Sequence, residues 1–361
     1  MLNSNTQIQP FYDPNRSYQE NWDSGPFGAF ANNEEYTDEG EPTYELFGHK
    51  LYLPFGIPAG PLLTSKFCEG AFKKGFDIAV YKTIRPYSHG CNAFPNVVPV
   101  KVEGNLTLEK AAKGLVMDED YHEPIAITNS FGVPSPEPEV WQADMKKAVE
   151  SARKGQLLIG SYQATNKGEG EEAFITDWVL GAKMVKETGA KVIELNLSCP
   201  NEGTSHLLCH DTQRVVKITK AVREEIGDMP MLVKTSYFPS DEKLVDFIKK
   251  TSPYVSGYAT INTIAGPVRK PDGTPALPGE NRLVSGICGA PIKWAGVEMV
   301  GRMNKIRKEL SLDFKIIGTG GVTTPADYQE YIAAGADAVM SATGAMWNPD
   351  LANQIKAEEL G

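Results

Sequence analysis

What most restricts the fold of this chain is a series of short apolar runs that starts at residue 55 and continues almost to the end. The runs cover residues 55–59, 78–83, 157–162, 192–198, 231–235, 258–261, 315–318 and 338–342. Helical patterns stand between most of them, over 171–188, 211–226, 242–250 and 325–334. Strands that alternate with helices build a parallel sheet, because each helix carries the chain back to start the next strand in the same direction. Eight such strands over about 300 residues point to an α/β fold of the (β/α)8 (TIM) barrel type. A doubly wound open sheet is the other arrangement the alternation allows. One connection, residues 84–156, is oversized and contains a further apolar run at 125–128. It is expected to form an excursion over the C-terminal mouth of the barrel.

Residues 44–47 and 50–53 flank Gly48-His49, a short hairpin signal. Ahead of them, residues 1–43 are rich in Asn, Asp, Glu, Gly and Pro and show no apolar stripe of helical period. That stretch reads as an extended surface arm anchored by aromatics such as Trp22, Phe27 and Phe30. The expected organisation is therefore an arm over 1–43 and one barrel domain over 44–361, with an insertion near 84–156.

Composition sets the remaining bounds. The 361 residues, 41% of them apolar and with 34 Gly and 25 Pro, suit one large elaborated domain better than two small ones. A net charge of -10 argues against a nucleic-acid partner. No apolar run approaches the ~20 residues that span a bilayer. The opening Met-Leu-Asn-Ser-Asn has neither a basic nor an apolar leader segment. The five cysteines, at 68, 91, 199, 209 and 288, are odd in number, widely spread and free of CxxC. That argues against a disulfide framework, a metal site or an iron–sulfur cluster held by this chain alone. A reduced, cytoplasmic protein without a metal is expected.

In a barrel of this type the C-terminal strand ends carry the chemistry. The fourth run ends Ile193-Glu194-Leu195-Asn196-Leu197-Ser198-Cys199-Pro200-Asn201, and Pro200 stops the strand. Asn196, Cys199 and Asn201 therefore gather at one tip. Amides pair donors with acceptors without imposing charge, and a thiol can release a proton near neutral pH. The set suits a flat, amide-rich ligand with a base beside it; a small buried cysteine before an asparagine turn is the plain alternative. Gly318-Thr319-Gly320-Gly321 and Ala342-Thr343-Gly344 follow the last two runs, where barrels commonly hold a phosphate on backbone N–H groups. Lys82 and Lys234 end strands as well. Each could be a rim lysine with its head in water. A cation can also face the pyrimidine edge of a flavin and stabilise the charge that reduction puts there. Lys234 suits that role, and Lys82 could serve flavin, a substrate carboxylate or both. Asn129, in Ile-Thr-Asn-Ser-Phe-Gly-Val-Pro, and Asn262, at the end of the sixth run, add two further amides.

These segments together resemble the dihydroorotate dehydrogenases, and within them the class 1 branch. The matching residues are Pro58-Ala59-Gly60-Pro61, Tyr81-Lys82-Thr83, Asn129-Ser130-Phe131-Gly132-Val133-Pro134, Glu194 to Asn201, Val233-Lys234, Ile261-Asn262-Thr263, Gly318 to Val322 and Ala342-Thr343. The resemblance implies FMN across the barrel mouth, its phosphate on Gly320, Gly321, Ala342 and Thr343. Ala59, Gly60, Lys82, Thr83, Asn196, Lys234 and Gly286 would line the flavin. Lys82, Asn129, Asn196, Asn201, Asn262 and Thr263 would hold dihydroorotate or orotate. Cys199 would be the catalytic base, in preference to Cys209 further along the same loop, which could be a mobile lid. A homodimer is implied too, and the electron acceptor stays open. Fumarate needs no partner, NAD would need an electron-transfer subunit, and a quinone would need an apolar tunnel. Three features depart from the family pattern: the arm, the length of the segment between Lys82 and Asn129, and Ser285-Gly286-Ile287-Cys288-Gly289, which follows the glycine-rich pattern only loosely. A flavoprotein of the dihydropyrimidine dehydrogenase type shares the asparagines, lysines and cysteine. A flavin-free phosphate-binding barrel lyase with a Schiff-base lysine is the reading from another class.

Overall fold

The computed structural model describes residues 9–32, 34–198, 207–280 and 282–360. Eight parallel strands close into a barrel: β1 Phe55–Ile57, β2 Ile78–Ile84, β3 Leu157–Tyr162, β4 Val192–Asn196, β5 Met231–Thr235, β6 Gly257–Thr260, β7 Lys315–Thr319 and β8 Ala338–Met340. Each strand pairs with the next in sequence, and Val339 of β8 pairs with Phe55 of β1 to close the ring. Every apolar run in the series becomes a barrel strand, which excludes the open sheet. The helices that follow the strands are α1 Ser65–Lys73, α2 Pro138–Ser151, α3 Glu171–Glu187, α4 Thr212–Ile226, α5 Asp241–Thr251, α6 Lys293–Glu309, α7 Pro325–Ala334 and α8 Leu351–Leu360.

Two separate apolar clusters result from this layout. Ile78, Val80, Leu157, Ile159, Val192, Leu232, Ala259, Ile317, Ala338 and Met340 point inward and fill the barrel, while the outward faces of the strands pack on the helices. The predicted hairpin pairs Tyr44–Leu46 with His49–Leu51. Phe47 and Gly48 both have positive φ at its turn, the pattern of a two-residue hairpin loop. Leu46 and Leu51 join the inner cluster, so the hairpin plugs the barrel away from its mouth.

The oversized connection does fold over the mouth, and it does not do so alone. Its strands Val97–Pro99, Leu115–Val116 and Ala126–Asn129 join Ile264–Arg269 and Val284–Gly289 in one five-stranded sheet. The last two strands come from a second insertion, between β6 and α6, that the sequence reading did not separate from the barrel. Two buried guanidinium groups hold this mouth structure in place. Arg282 donates to the carbonyls of Ala93, Pro95 and Ser130, and Arg85 donates to those of Gly132, Val133 and Ala164. Buried carbonyls need such partners, so each arginine fixes several loop groups at once.

The arm departs from an extended surface strip. It contains a helix, Tyr18–Ser24, started by a capping box in which Ser17 and Glu20 satisfy each other's amides. The rings that anchor it are Phe11, Tyr12, Tyr18 and Phe30, whereas Trp22 and Phe27 are only half-buried. Phe11 stacks on Phe30 at 4.1 Å and meets Phe67 of α1 edge-on. Among the described residues no helix is long and apolar enough to cross a membrane.

Candidate active site

Along each barrel strand the side chains alternate, so the residue two beyond the last inner apolar one stands at the mouth. Val80 places Lys82 there, Leu232 places Lys234, and Ile317 places Thr319. Beyond Val192 the same period brings Glu194 and then Asn196 onto the inner face. These tips, the mouth sheet and the arm surround a cleft. Its lining includes Ala59, Gly60, Lys82, Thr83, Asn129, Asn196, Lys234, Asn262, Thr263, Gly286, Ala342 and Thr343. Residues from seven barrel strand ends and from both insertions thus converge on one space. Cys199 and Asn201 lie outside the described residues.

The lysines do not snorkel to the rim. Lys82 is 6% exposed and Lys234 is 4% exposed, and both face the cleft. The Lys234 ammonium donates to the Ala59 carbonyl at 3.3 Å, which leaves it N–H groups to offer a ligand. The Lys82 ammonium lies 5.8 Å from the centre of the Phe131 ring, a cation–π contact. Beneath this layer Thr83 and Ser161 share a hydroxyl hydrogen bond of 3.0 Å, and Ser161 donates to Glu194 at 2.9 Å.

The amides are tethered as well. The Asn262 amide donates to the Ser198 carbonyl at 3.0 Å, while the side-chain oxygen of Asn196 accepts from the Ser198 amide and hydroxyl. The Cys209 amide donates to Leu197 at 2.9 Å, so the chain returns to the same strand tip. Cys209 itself is buried, with its sulfur 3.2 Å from the Ser236 hydroxyl, and burial pushes its thiol up. Held there, it is an anchor beside the strand rather than part of an open lid. Gly286 must be glycine because a Cβ would lie 2.6 Å from the Thr263 hydroxyl.

Just past the end of β7, Gly320 and Gly321 adopt φ of 122° and 72°. Among the described residues no carbonyl accepts from the amides of either glycine. Tyr331 of α7 donates to the Gly320 carbonyl at 2.6 Å and holds the loop from behind. Asp327 accepts from the Thr323 and Thr324 amides and pairs with Lys293, which fixes the start of α7 next to the loop. These two glycines border the cleft outside its lining, whereas Thr319, Ala342 and Thr343 line it. Free amides at a glycine turn are what a phosphate group requires.

Several cleft residues were given no site role from the sequence: Tyr12, Val97, Ile127, Phe131, Cys288 and Met346. Cys288 was visible in principle, since it follows Gly286 by two positions on one strand and so shares its face. Its sulfur accepts from the Asn129 amide at 3.5 Å and from the Thr343 hydroxyl at 3.6 Å. Burial pushes this thiol up, against the opposing pull of Thr343, Asn129 and Lys234. Tyr12 had no such signal.

Comparison with known proteins identifies the family and the fold. The family model for dihydroorotate dehydrogenase matches residues 117–360. A dihydroorotate dehydrogenase of Dictyostelium discoideum is 33% identical over 357 residues, an alignment covering 95% of this chain and 96% of the relative. The catalytic subunit of dihydroorotate dehydrogenase B (NAD(+)) from Staphylococcus carnosus is 32% identical over 182 residues, covering 50% of this chain and 56% of the relative. A crystal structure of DHODH in complex with ferulenol from Eimeria tenella matches with a TM-score of 0.68 at 21% identity, covering 89% of this chain and 84% of that one. That structural match speaks to the fold.

Proposed function

The chain belongs to the dihydroorotate dehydrogenase family, and on that premise we propose that its cleft oxidises (S)-dihydroorotate to orotate in pyrimidine biosynthesis, in the manner of the class 1 branch. The observation that carries this reading is the convergence of two buried lysines, three described asparagines and two phosphate-type loops on one cleft. FMN suits this donor set. The amides of Gly320, Gly321, Ala342 and Thr343 would hold its phosphate, and Ala59, Gly60, Lys82, Thr83, Asn196, Lys234 and Gly286 would surround its ring. The chemistry FMN supplies when bound is acceptance of the hydride from C6 of the substrate.

The protein's own part is to hold the substrate and move one proton. Asn129, Asn196, Asn201 and Asn262, with Thr263, match the polar edges of a pyrimidine ring through paired donors and acceptors. Lys82 suits the substrate carboxylate, because an ammonium and a carboxylate make charge-assisted hydrogen bonds. Cys199 takes the proton from C5. A thiol with an ordinary pKa of about 8.5 is a far better base at neutral pH than a serine hydroxyl. A cytoplasmic homodimer, with fumarate or a partner subunit taking the electrons, is the assembly this reading proposes.

The test is anaerobic mixing of purified protein with dihydroorotate while the flavin absorbance is followed. Rapid bleaching is expected, slowed by orders of magnitude in Cys199→Ala and preserved in Cys209→Ala. Bound flavin that dihydroorotate leaves oxidised, but dihydrouracil reduces, would overturn the substrate assignment. A colourless protein that binds no added FMN would overturn the redox reading altogether.

A further inference from the structure

The reaction as described leaves the N-terminal arm idle, yet the arm reaches the cleft. Tyr12 lines the cleft, as do Phe131 and Lys82. Its ring meets Phe131 edge-on at 5.8 Å, and Phe131 is the ring that faces the Lys82 ammonium. The side chain is 3% exposed. Among the described residues its hydroxyl has no hydrogen-bond partner. Unlike the fully sealed hydroxyl of Tyr18, it keeps some accessible surface, so a phenolic O–H on a cleft-lining side chain stays available to donate to a ligand. Tyr18 provides the contrast. It also packs on Phe131, at 6.0 Å, and its hydroxyl is buried without a partner, but it does not line the cleft.

We propose that Tyr12 is a substrate-contacting residue whose hydroxyl donates to an oxygen at the anionic end of dihydroorotate, so that the arm is part of the active site. The inference rests on the function proposed above and extends it to substrate selection. Tyr12 cannot swing clear, because both of its chain neighbours are tied down. Phe11 stacks on Phe30, and its carbonyl accepts from the Phe27 amide at 2.9 Å. The Asp13 amide donates to buried Asn21 at 2.8 Å, and Asn21 donates back to the Asp13 carbonyl at 2.9 Å. Burial also holds the phenol well above its ordinary pKa, so it remains a donor through the neutral and mildly alkaline range. In a cleft that Lys82 also lines, such a donor adds to the recognition of a carboxylate and does nothing comparable for an uncharged pyrimidine. Tyr12 thus helps to separate dihydroorotate from dihydrouracil.

The experiment is titration of the FMN-loaded protein with orotate, read from the perturbation of flavin absorbance, for wild type, Tyr12→Phe and Tyr18→Phe. Tyr12→Phe keeps the ring and its packing and removes only the donor. It should weaken orotate about tenfold, as expected for a hydrogen bond to a charged group. FMN content and thermal midpoint should stay at the wild-type values, and flavin reduction at saturating dihydroorotate should remain close to wild type. Tyr18→Phe should bind orotate like wild type. Orotate affinity within twofold of wild type in Tyr12→Phe would overturn the proposal. So would an equal loss of affinity and thermal midpoint in both variants, which would mark a shared packing role. Failure of the FMN-loaded wild type to bind orotate would instead bring down the dihydroorotate reading, and the role of Tyr12 with it; the wild-type titration separates that outcome from the others.

Discussion

Gly321 shows how much a single residue settles. At φ 72° it sits where an L side chain is strained, and a Cβ there would lie 2.6 Å from the Lys293 amide nitrogen. Gly321→Ala is therefore expected to push the loop off α6 and to cost about 1–3 kcal/mol. Because the same loop offers its free amide to the proposed phosphate, the variant should also be purified with less FMN, read from the ratio of flavin to protein absorbance. Gly321 could be singled out from sequence because glycine pairs after a late barrel strand have one common use. Lys82, Lys234 and Asn196 were legible for a related reason: strand period and strand end together dictate where a side chain points. Cys288 obeys the same period but stood in a segment not recognised as a strand. Tyr12 obeys no local rule, since its place beside Phe131 follows from how the arm folds across the mouth.

Among the elements, α8 carries a buried ion pair that binds three parts of the chain together. Lys356 lies 2.7 Å from Asp38 of the arm and 2.9 Å from Asp77 just ahead of β2. Lys356 and Asp77 are both buried, and the second oxygen of Asp77 accepts from the Leu53 amide at 2.6 Å. Burial pushes Asp77 up to about 6, although Lys356 and the Leu53 amide pull the other way. A carboxyl whose folded value lies above its unfolded one favours the fold most below the unfolded value, and that contribution is lost as pH rises through about 6. Above that pH the carboxylate depends on Lys356. Lys356→Met should therefore cost about 3 kcal/mol at pH 8, the scale for breaking a buried pair, and clearly less at pH 5 where Asp77 takes up a proton. Urea unfolding at the two pH values checks both sign and size. The barrel strands and the helices α3, α4, α5 and α7 were readable at this scale because apolar period is a local signal. The strands Ile264–Arg269 and Val284–Gly289 were not, because their partners lie in the other insertion and their apolar faces meet only once the mouth sheet has formed.

The whole molecule joins its distant ends across the barrel. The arm packs on α1 through Phe11 and Phe30, and a Cβ on Gly70 would lie 3.0 Å from Phe30. Phe30→Ala should cost about 3 kcal/mol through lost burial and the cavity left behind, measured by urea unfolding. A drop in orotate affinity in the same variant, with FMN retained, would show that loosening the arm is felt in the cleft. From the chain of amino acids alone follow the eight-fold alternation, the polar strand tips and the glycine loops, each set by the geometry of a few neighbouring residues. The joining of two insertions into one sheet, the seating of the arm against Phe131 and the burial of both lysines come only with the tertiary structure. Each of those contacts pairs groups remote in sequence, and no local period encodes which surfaces will meet once water has been excluded from between them.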